Sequence, residues 1–262
     1  MSYCRATLVT ICLCIAASSA VLGQTGPVSD PQALSFASQA ISSLLGGNSI
    51  SDVTLSATAT SSAGDSSQTG SATIQAKGQG QSRLDVQAGD VSHTEVRNLT
   101  SGLPAGAWNE NSGNPISFAS HNCLTDAVWF FPALSTLSQT SNASFIFLYL
   151  GQVQRGDVTT EHLQVYQWSP SGSPFLAPLS TMDFYLNATS LLPVAISFNA
   201  HPDDDMITNI PVEIDFSNYQ LVNGVQVPFH IQKLFNGTLV LDVTVSTVAF
   251  NTGIPDSVFI LP

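Results

Sequence analysis

The stretch from Val212 to Asn251, VEIDFSNYQLVNGVQVPFHIQKLFNGTLVLDVTVSTVAFN, leaves the chain little choice of path. Val212, Ile214 and Phe216 alternate with Glu213, Asp215 and Ser217, the period of two that a strand shows when one face is buried. Asn223-Gly224 follows, and both residues tolerate the positive φ of a type I′ turn. Val225, Val227, Phe229 and Ile231 then alternate with Gln226, Pro228, His230 and Gln232, and Asn236-Gly237 supplies a second turn. Leu239, Leu241, Val243 and Val245 line the return strand, whereas Val248 and Phe250 continue it on the opposite parity. Such a switch predicts a β-bulge near Ser246-Thr247, which bends a strand. Three successive antiparallel strands are expected.

The same residues carry a resemblance. FSNYQLVNGVQVPFHI, then FNG, then VTVSTVAFNTGIPDSVF resembles the C-terminal meander of the LolA/LolB/LppX-like superfamily of periplasmic lipid and lipoprotein carriers. The pattern is an aromatic after an acidic strand, a V-x-G-x-x-x-P hairpin, an N-G turn and a closing N-x-G-[IV]-x-D-x-x-F. Upstream, MDFYLNATSLLPVAISFNA is similar to the preceding family hairpin. The resemblance implies a mainly β (α+β) fold, a strongly curved antiparallel sheet forming an incomplete barrel, with helices covering its concave side. It also implies that the concave side holds a lipid, an acyl chain or a lipoprotein, carried without catalysis and without a cofactor. A cavity arginine belongs to that pattern, and Arg83, Arg97 and Arg155 are all unplaced by sequence.

Charge narrows the partners. Lys and Arg number 6 against 18 Asp and Glu, a formal net charge of −12. Nucleic acid is excluded, because phosphate-backbone binding needs a basic footprint. Electrostatic docking on an anionic membrane is excluded on the same ground.

The N-terminus reads as an export signal. Arg5 precedes an apolar run, Leu8 to Ala17, too short for a membrane span, and small residues place cleavage after Ala20 or Gly23. Residues 1–23 are thus a signal peptide and residues 24–262 a single half-barrel domain, periplasmic or secreted. A retained anchor is the alternative. No other long apolar run exists, so the mature chain has no transmembrane span. Cys4, Cys12 and Cys14 leave with the signal, and Cys123 remains as a nucleophile, an intermolecular link or a small buried hydrophobe.

In chain order, Asp30-Pro31 opens a helix whose Leu34, Ala37, Ile41, Leu44 and Leu45 share a face, and Gly46-Gly47 closes it. Strands with small apolar faces follow: Val53 to Ala59, a loop at SSAGDSSQ, Ala72 to Ala76, Leu84 to Ala88 and Val91 to Leu99. Alanine at such positions leaves either a thin core under a close helix or space for a ligand. Thr100 to Cys123, rich in Gly, Asn, Ser and Pro, reads as a long excursion. Thr125-Asp126 then caps AVWFFPALSTLSQ, a helix serving as core or as lid, with Pro132 straining it. Asn142 to Val153, His162 to Trp168, Ser180 to Asn187 and Leu192 to Asn199 are strands, and His201-Pro-Asp-Asp-Asp205 is a polar turn.

No catalytic motif stands out. Gly64-Asp65-Ser66 lacks the following glycines of a protease site. The histidines lack metal-ligand spacing, and the Asp203–Asp205 run lacks that of a calcium loop, so no metal is expected. The candidate binding residues are the large apolar ones of the lid and central strands: Trp129, Phe130, Leu134, Phe145, Phe147, Phe184 and Phe198. The alternative function is an envelope scaffolding module that holds a protein partner on a sheet edge or aromatic patch and takes no small ligand.

Overall fold

The computed structural model describes residues 26–64 and 66–261. The signal peptide expected at residues 1–23, with its cleavage points, lies outside the described residues. Helix α1, Pro31–Leu45, opens the described chain. Asp30 caps it by accepting a bond from the Gln32 amide, and Gly46 ends it in the left-handed conformation at φ 56°. The first strands are β1 (Asp52–Ala63), β2 (Ser66–Lys77), β3 (Gln81–Ala88), β4 (Val91–Thr100), β5 (Leu103–Glu110) and β6 (Ile116–Ser117). Then come β7 (Phe145–Arg155), β8 (Val158–Gln167), the short helix α2 (Leu176–Ser180), β9 (Met182–Asn187) and β10 (Pro193–Ala200). The closing meander is β11 (Ile210–Val222), β12 (Val225–Phe235) and β13 (Thr238–Phe250).

Among the described residues the 13 strands form one sheet in the order β6-β5-β4-β3-β2-β1-β13-β12-β11-β10-β9-β8-β7, with every pairing antiparallel. Two meanders, β1–β6 and β7–β13, are joined where β1 pairs with β13. The sheet ends in two edges, β6 and β7, and so does not close. It is nevertheless strongly curled. Glu95 on β4 and Lys233 on β12 line one cavity although four strands separate β4 from β12 in the sheet.

The meander forms as its sequence requires. Asn223 and Gly224 sit at φ 50° and 84°, Asn236 and Gly237 at 50° and 75°. The expected bulge is present: Ser56 opposes Thr247 and Ala57 opposes Val245, leaving Ser246 extra. That single residue moves Val248 and Phe250 to the face that packs on the core.

The concave face is apolar. Leu55, Ile74, Val243, Ile231, Ile214, Phe184, Leu163 and Phe147 are fully buried. Helix α1 lies against this face with Ala33, Ala37, Ala40 and Leu44 inward, the small residues bringing its backbone close to the sheet. Segment 126–138 packs beside it.

Three expectations are corrected. Residues 126–139 form no continuous helix. They turn through two short 3-10 turns, Pro132–Leu134 and Thr136–Ser138, because Pro132 has no amide for a helical ladder. The caps survive: Asp126 Oδ1 accepts from the Val128 amide and Oδ2 from the Thr136 amide. The excursion from Thr100 is largely strand, with β5 paired along β4 from Leu103 to Glu110. Its Gly, Pro and Asn residues have poor strand propensity, and pairing overrides them. The SSAGDSSQ stretch is strand on both sides of a tight turn, since β1 runs to Ala63 and β2 starts at Ser66.

The C-terminal strap crosses from β13 over the first meander, and Asp52 holds it. Its carboxylate accepts from the Thr252 amide at 2.7 Å, the Thr252 hydroxyl at 3.0 Å and the Gly253 amide at 3.1 Å. Asn251 Oδ1 accepts from the Ser51 amide, and Asn251 Nδ2 donates to Ser49 O. The strap then salt-bridges Lys77 to Asp256 and buries Phe259 completely. The N-x-G-x-x-D-x-x-F signature is thus a clasp on the back of the sheet.

Candidate functional site

Alternation decides which side chains enter the concave side. On β4 the inward residues are His93, Glu95 and Arg97, opposite Val86, Leu84 and Ser82 of β3 and Glu110, Trp108 and Gly106 of β5. On β12 the inward row is Val225, Val227, Ile231, Lys233 and Phe235. Curling brings these rows face to face around two adjoining cavities.

The first cavity, about 280 Å³, is aromatic, with Trp108, Phe118, Trp129 and Phe198 in its wall and Glu95, Arg97 and Lys233 at its base. The second, about 500 Å³, is largely apolar and open to Leu84, Val86, Ala88 and Leu241. Glu95, Lys233 and Phe235 belong to both and mark the junction. The small apolar faces of the first meander therefore do leave space at this end of the groove, whereas Ala57, Ala59 and Ala72 are sealed in the core.

The charges at the junction are unusual for an apolar groove. Arg97 Nε stands 3.5 Å from Glu95 Oε1, and Arg97 Nη1 donates to Asn122 O at 2.8 Å. The guanidinium also lies 4.5 Å over the Phe118 ring. Gly106 makes that stacking possible: a Cβ there would fall 2.7 Å from Arg97 Cδ and 2.8 Å from Phe118 Cδ2. Lys233 Nζ sits 4.8 Å over the Trp129 ring. Among the described residues no carboxylate oxygen comes within 4.0 Å of it. Burial pulls the Lys233 ammonium below its ordinary pKa, Glu95 works against that, and Arg97 adds to it. Burial alone would raise the Glu95 carboxyl, but Lys233, Arg97 and His93 hold it below the usual range. The aromatic cavity thus carries two cations, Arg97 and Lys233, with the carboxylates Glu95 and Asp126 in its wall and Asp203 at its rim.

Among the described residues, two buried side-chain polar atoms have no hydrogen-bond partner, Arg97 Nε and His201 Nε2. Both residues line the aromatic cavity. His201 Nδ1 lies 3.1 Å from Thr208 O and so carries the proton, which leaves Nε2 as an acceptor.

The sequence candidates fall into three places. Trp129 and Phe198 line the aromatic cavity. Phe130, Leu134, Phe147 and Phe184 are buried in the core behind it. Phe145 lines a cleft of about 380 Å³ with Leu99 and Cys123, and that cleft shares Arg97, Thr125 and Asp126 with the aromatic cavity. Sequence reasoning missed Glu95, Trp108, Lys233 and Phe235. A signal existed for Lys233, which interrupts an otherwise apolar inward row. Of the six basic residues in the chain, two line this cavity, Arg97 and Lys233.

The other polar features have local roles. Asp205 closes its own turn by accepting from the Ile207 and Thr208 amides and the Thr208 hydroxyl. Cys123 is buried at 4% exposure. On the outer face, His162 pairs with Asp183 at 2.8 Å and His230 with Asp242 at 3.1 Å. Among the described residues no group of three or more His, Cys, Asp or Glu gathers as a metal site would require.

An open, curled antiparallel sheet with a helix on its concave face and a groove beneath defines the class of fold, the LolA/LolB-like half-barrel. Comparison with solved structures gives the same fold. A DUF1329 family protein from Desulfovibrio piger superposes with a TM-score of 0.56 at 11% identity, over 90% of this chain and 98% of that one. A domain from Vibrio parahaemolyticus assigned as an outer membrane lipoprotein-sorting protein gives 0.54 at 10% identity, over 87% and 96%. A LolA superfamily protein from Nitrosomonas europaea gives 0.52 at 11% identity, over 87% and 97%. No protein-family model matches the sequence, and no curated protein matches it. At these identities the likeness establishes the fold.

Proposed function

We propose that this chain is an exported, noncatalytic carrier that takes an acyl chain of a lipid or lipoprotein into its concave groove. The observation that carries this reading is the groove between β3–β5 and β12–β13, where an apolar channel of about 500 Å³ meets an aromatic cavity of about 280 Å³. Such volumes lie in the range of small-molecule sites. Burying hydrocarbon supplies about 0.8 kcal/mol per methylene, so a modest length of chain holds without covalent chemistry. The fold neighbours include a protein assigned to lipoprotein sorting, which agrees with carriage. Residues 1–23 serve as the signal peptide that delivers the chain to the periplasm, and 24–262 act as one domain.

Uptake of a fluorescent fatty acid by the detergent-free protein tests the reading. Saturable binding, competed by unlabelled lipid and lost in Phe235→Glu, is the expected result. No uptake overturns it in favour of a protein-binding module of the envelope. That module would use the β7 edge, where Leu150 and Val153 are exposed.

A further inference from the structure

The cavity junction says more than that a chain of methylenes fits. Lys233 occupies an inward position on β12, between buried Ile231 and the junction residue Phe235. Lys233 is partly buried, and the protein supplies a ring face to its ammonium at 4.8 Å and no hydrogen-bonded anion. Glu95 is paired with Arg97. Asp126, also in the cavity wall, has both oxygens engaged by backbone amides. Asp203 and Glu110 are exposed residues at the two rims. Among the described residues, Lys233 is therefore the cation of this junction with no carboxylate oxygen within 4.0 Å. Arg97, whose Nε faces Glu95 Oε1 at 3.5 Å without a hydrogen bond, and His201 belong to the cavity on one side of Lys233. On its other side the wall includes the aliphatic Leu84, Val86, Ala88 and Leu241, with His93 and Glu110 beside them. Arg97 and the aromatic rings thus lie on one side of the cation and the aliphatic side chains on the other.

We propose that the groove selects amphiphiles bearing one anionic head, a carboxylate or phosphate monoester, with the head in the aromatic cavity against Lys233 and Arg97 and the tail along Leu84, Val86 and Ala88. This rests on the carrier reading and adds the ligand's polarity and direction. Long-range electrostatics work against such a ligand, since the chain carries a net charge of −12. Selection comes from contact with the partly buried ammonium, where charge-assisted bonds are strong.

Calorimetry with matched tails tests it: dodecanoate, dodecyl phosphate, dodecanol and inorganic phosphate, on the full purified protein below micelle concentrations. Dodecanoate or dodecyl phosphate should bind about tenfold or more tighter than dodecanol, and comparing the two distinguishes a fatty acid from a phospholipid source. Lys233→Met should erase the difference while dodecanol affinity stays, and Lys233→Arg should restore it. Glu95→Gln removes the internal competitor and should tighten dodecanoate, an arm that stands if Lys233→Met fails to fold. Equal affinity for dodecanoate and dodecanol overturns this inference and leaves the carrier reading intact. Binding of inorganic phosphate as tight as dodecyl phosphate overturns the tail assignment. No binding of any amphiphile overturns both readings.

Discussion

Lys233 Nζ stands 4.8 Å above the indole of Trp129, a contact between the middle strand of the C-terminal meander and the turn segment that replaces the expected lid helix. It joins an aromatic side chain singled out by sequence to a cation that sequence did not single out. Residue 129 thus touches the cavity cation that, among the described residues, has no carboxylate oxygen within 4.0 Å.

Phe235 and Phe147 separate binding from stability. Phe235 is 39% exposed and belongs to both cavities, whereas Phe147 is fully buried. Phe235→Glu should fold with a melting temperature near that of the wild type and lose amphiphile uptake. Phe147→Ala should cost about 3–5 kcal/mol of stability through its cavity. Chemical denaturation and uptake on the two variants check the pair, and the opposite ranking would contradict the placement of the groove.

Gly106 sets the position of Arg97. Because a Cβ there meets both Arg97 Cδ and Phe118, Gly106→Ala should push the guanidinium off the ring. The expected result is a lower affinity for anionic amphiphiles, at a stability cost of about 1–3 kcal/mol for overpacking. Unchanged affinity and stability would mean that Arg97 and Phe118 relax freely.

Much of this was legible in the residues, for identifiable reasons. Asn223-Gly224 and Asn236-Gly237 fix turns because few residues accept positive φ, and Ser246 announces its bulge because parity must switch to keep Phe250 inward. Asp30 and Gly46 mark the ends of α1 through local hydrogen bonds. What was not legible depends on distant pairing. β5 is a strand because β4 lies beside it, despite Pro104 and Gly106. The junction unites β4 with β12 across four intervening strands, a meeting that only the curl of the sheet creates. Four of the seven aromatic and leucine candidates went to the core because sequence alone does not say which buried residues abut space.

Asp126 gives a pH dependence. Burial lifts its carboxyl from 3.8 to about 6, against the pull of the Thr136 and Val128 amides. A group raised in the folded state contributes stability that is full below its unfolded pKa and is lost as pH rises through the folded value. Stability should therefore fall between about pH 4 and 6, by about 3 kcal/mol from this group. Asp126→Asn should flatten that slope and lower the acid plateau, since its amide faces a backbone donor. Denaturant melts across that pH range provide the check, and an unchanged slope in the variant would assign the dependence elsewhere.

Asp52 works with the opposite sign. Burial would raise its carboxyl, but the Thr252 and Gly253 amides, with the Thr252 and Ser51 hydroxyls, hold it below the usual range. Its contribution is present above the unfolded pKa and lost as pH falls through the folded one. Asp52→Asn should cost about 1–3 kcal/mol at neutral pH. Hydrogen exchange of the Thr252 and Gly253 amides should accelerate at the same time, and unchanged exchange would show that Asn251 holds the strap alone.

Cys123 should behave as a packed hydrophobe. At 4% exposure, with burial pushing its thiol pKa up, it should react with a thiol reagent only as the protein unfolds. Rapid labelling of the native protein would contradict this.

The central claim is carriage, and native mass spectrometry of the protein purified without detergent from an envelope preparation tests it most directly, with organic extraction naming the bound species. The account predicts a complex heavier than the polypeptide by the mass of one amphiphile, which extracts as a negative ion with an acyl tail. A bare polypeptide mass, together with no uptake of added fatty acid, would contradict it and assign the groove to another protein's side chains.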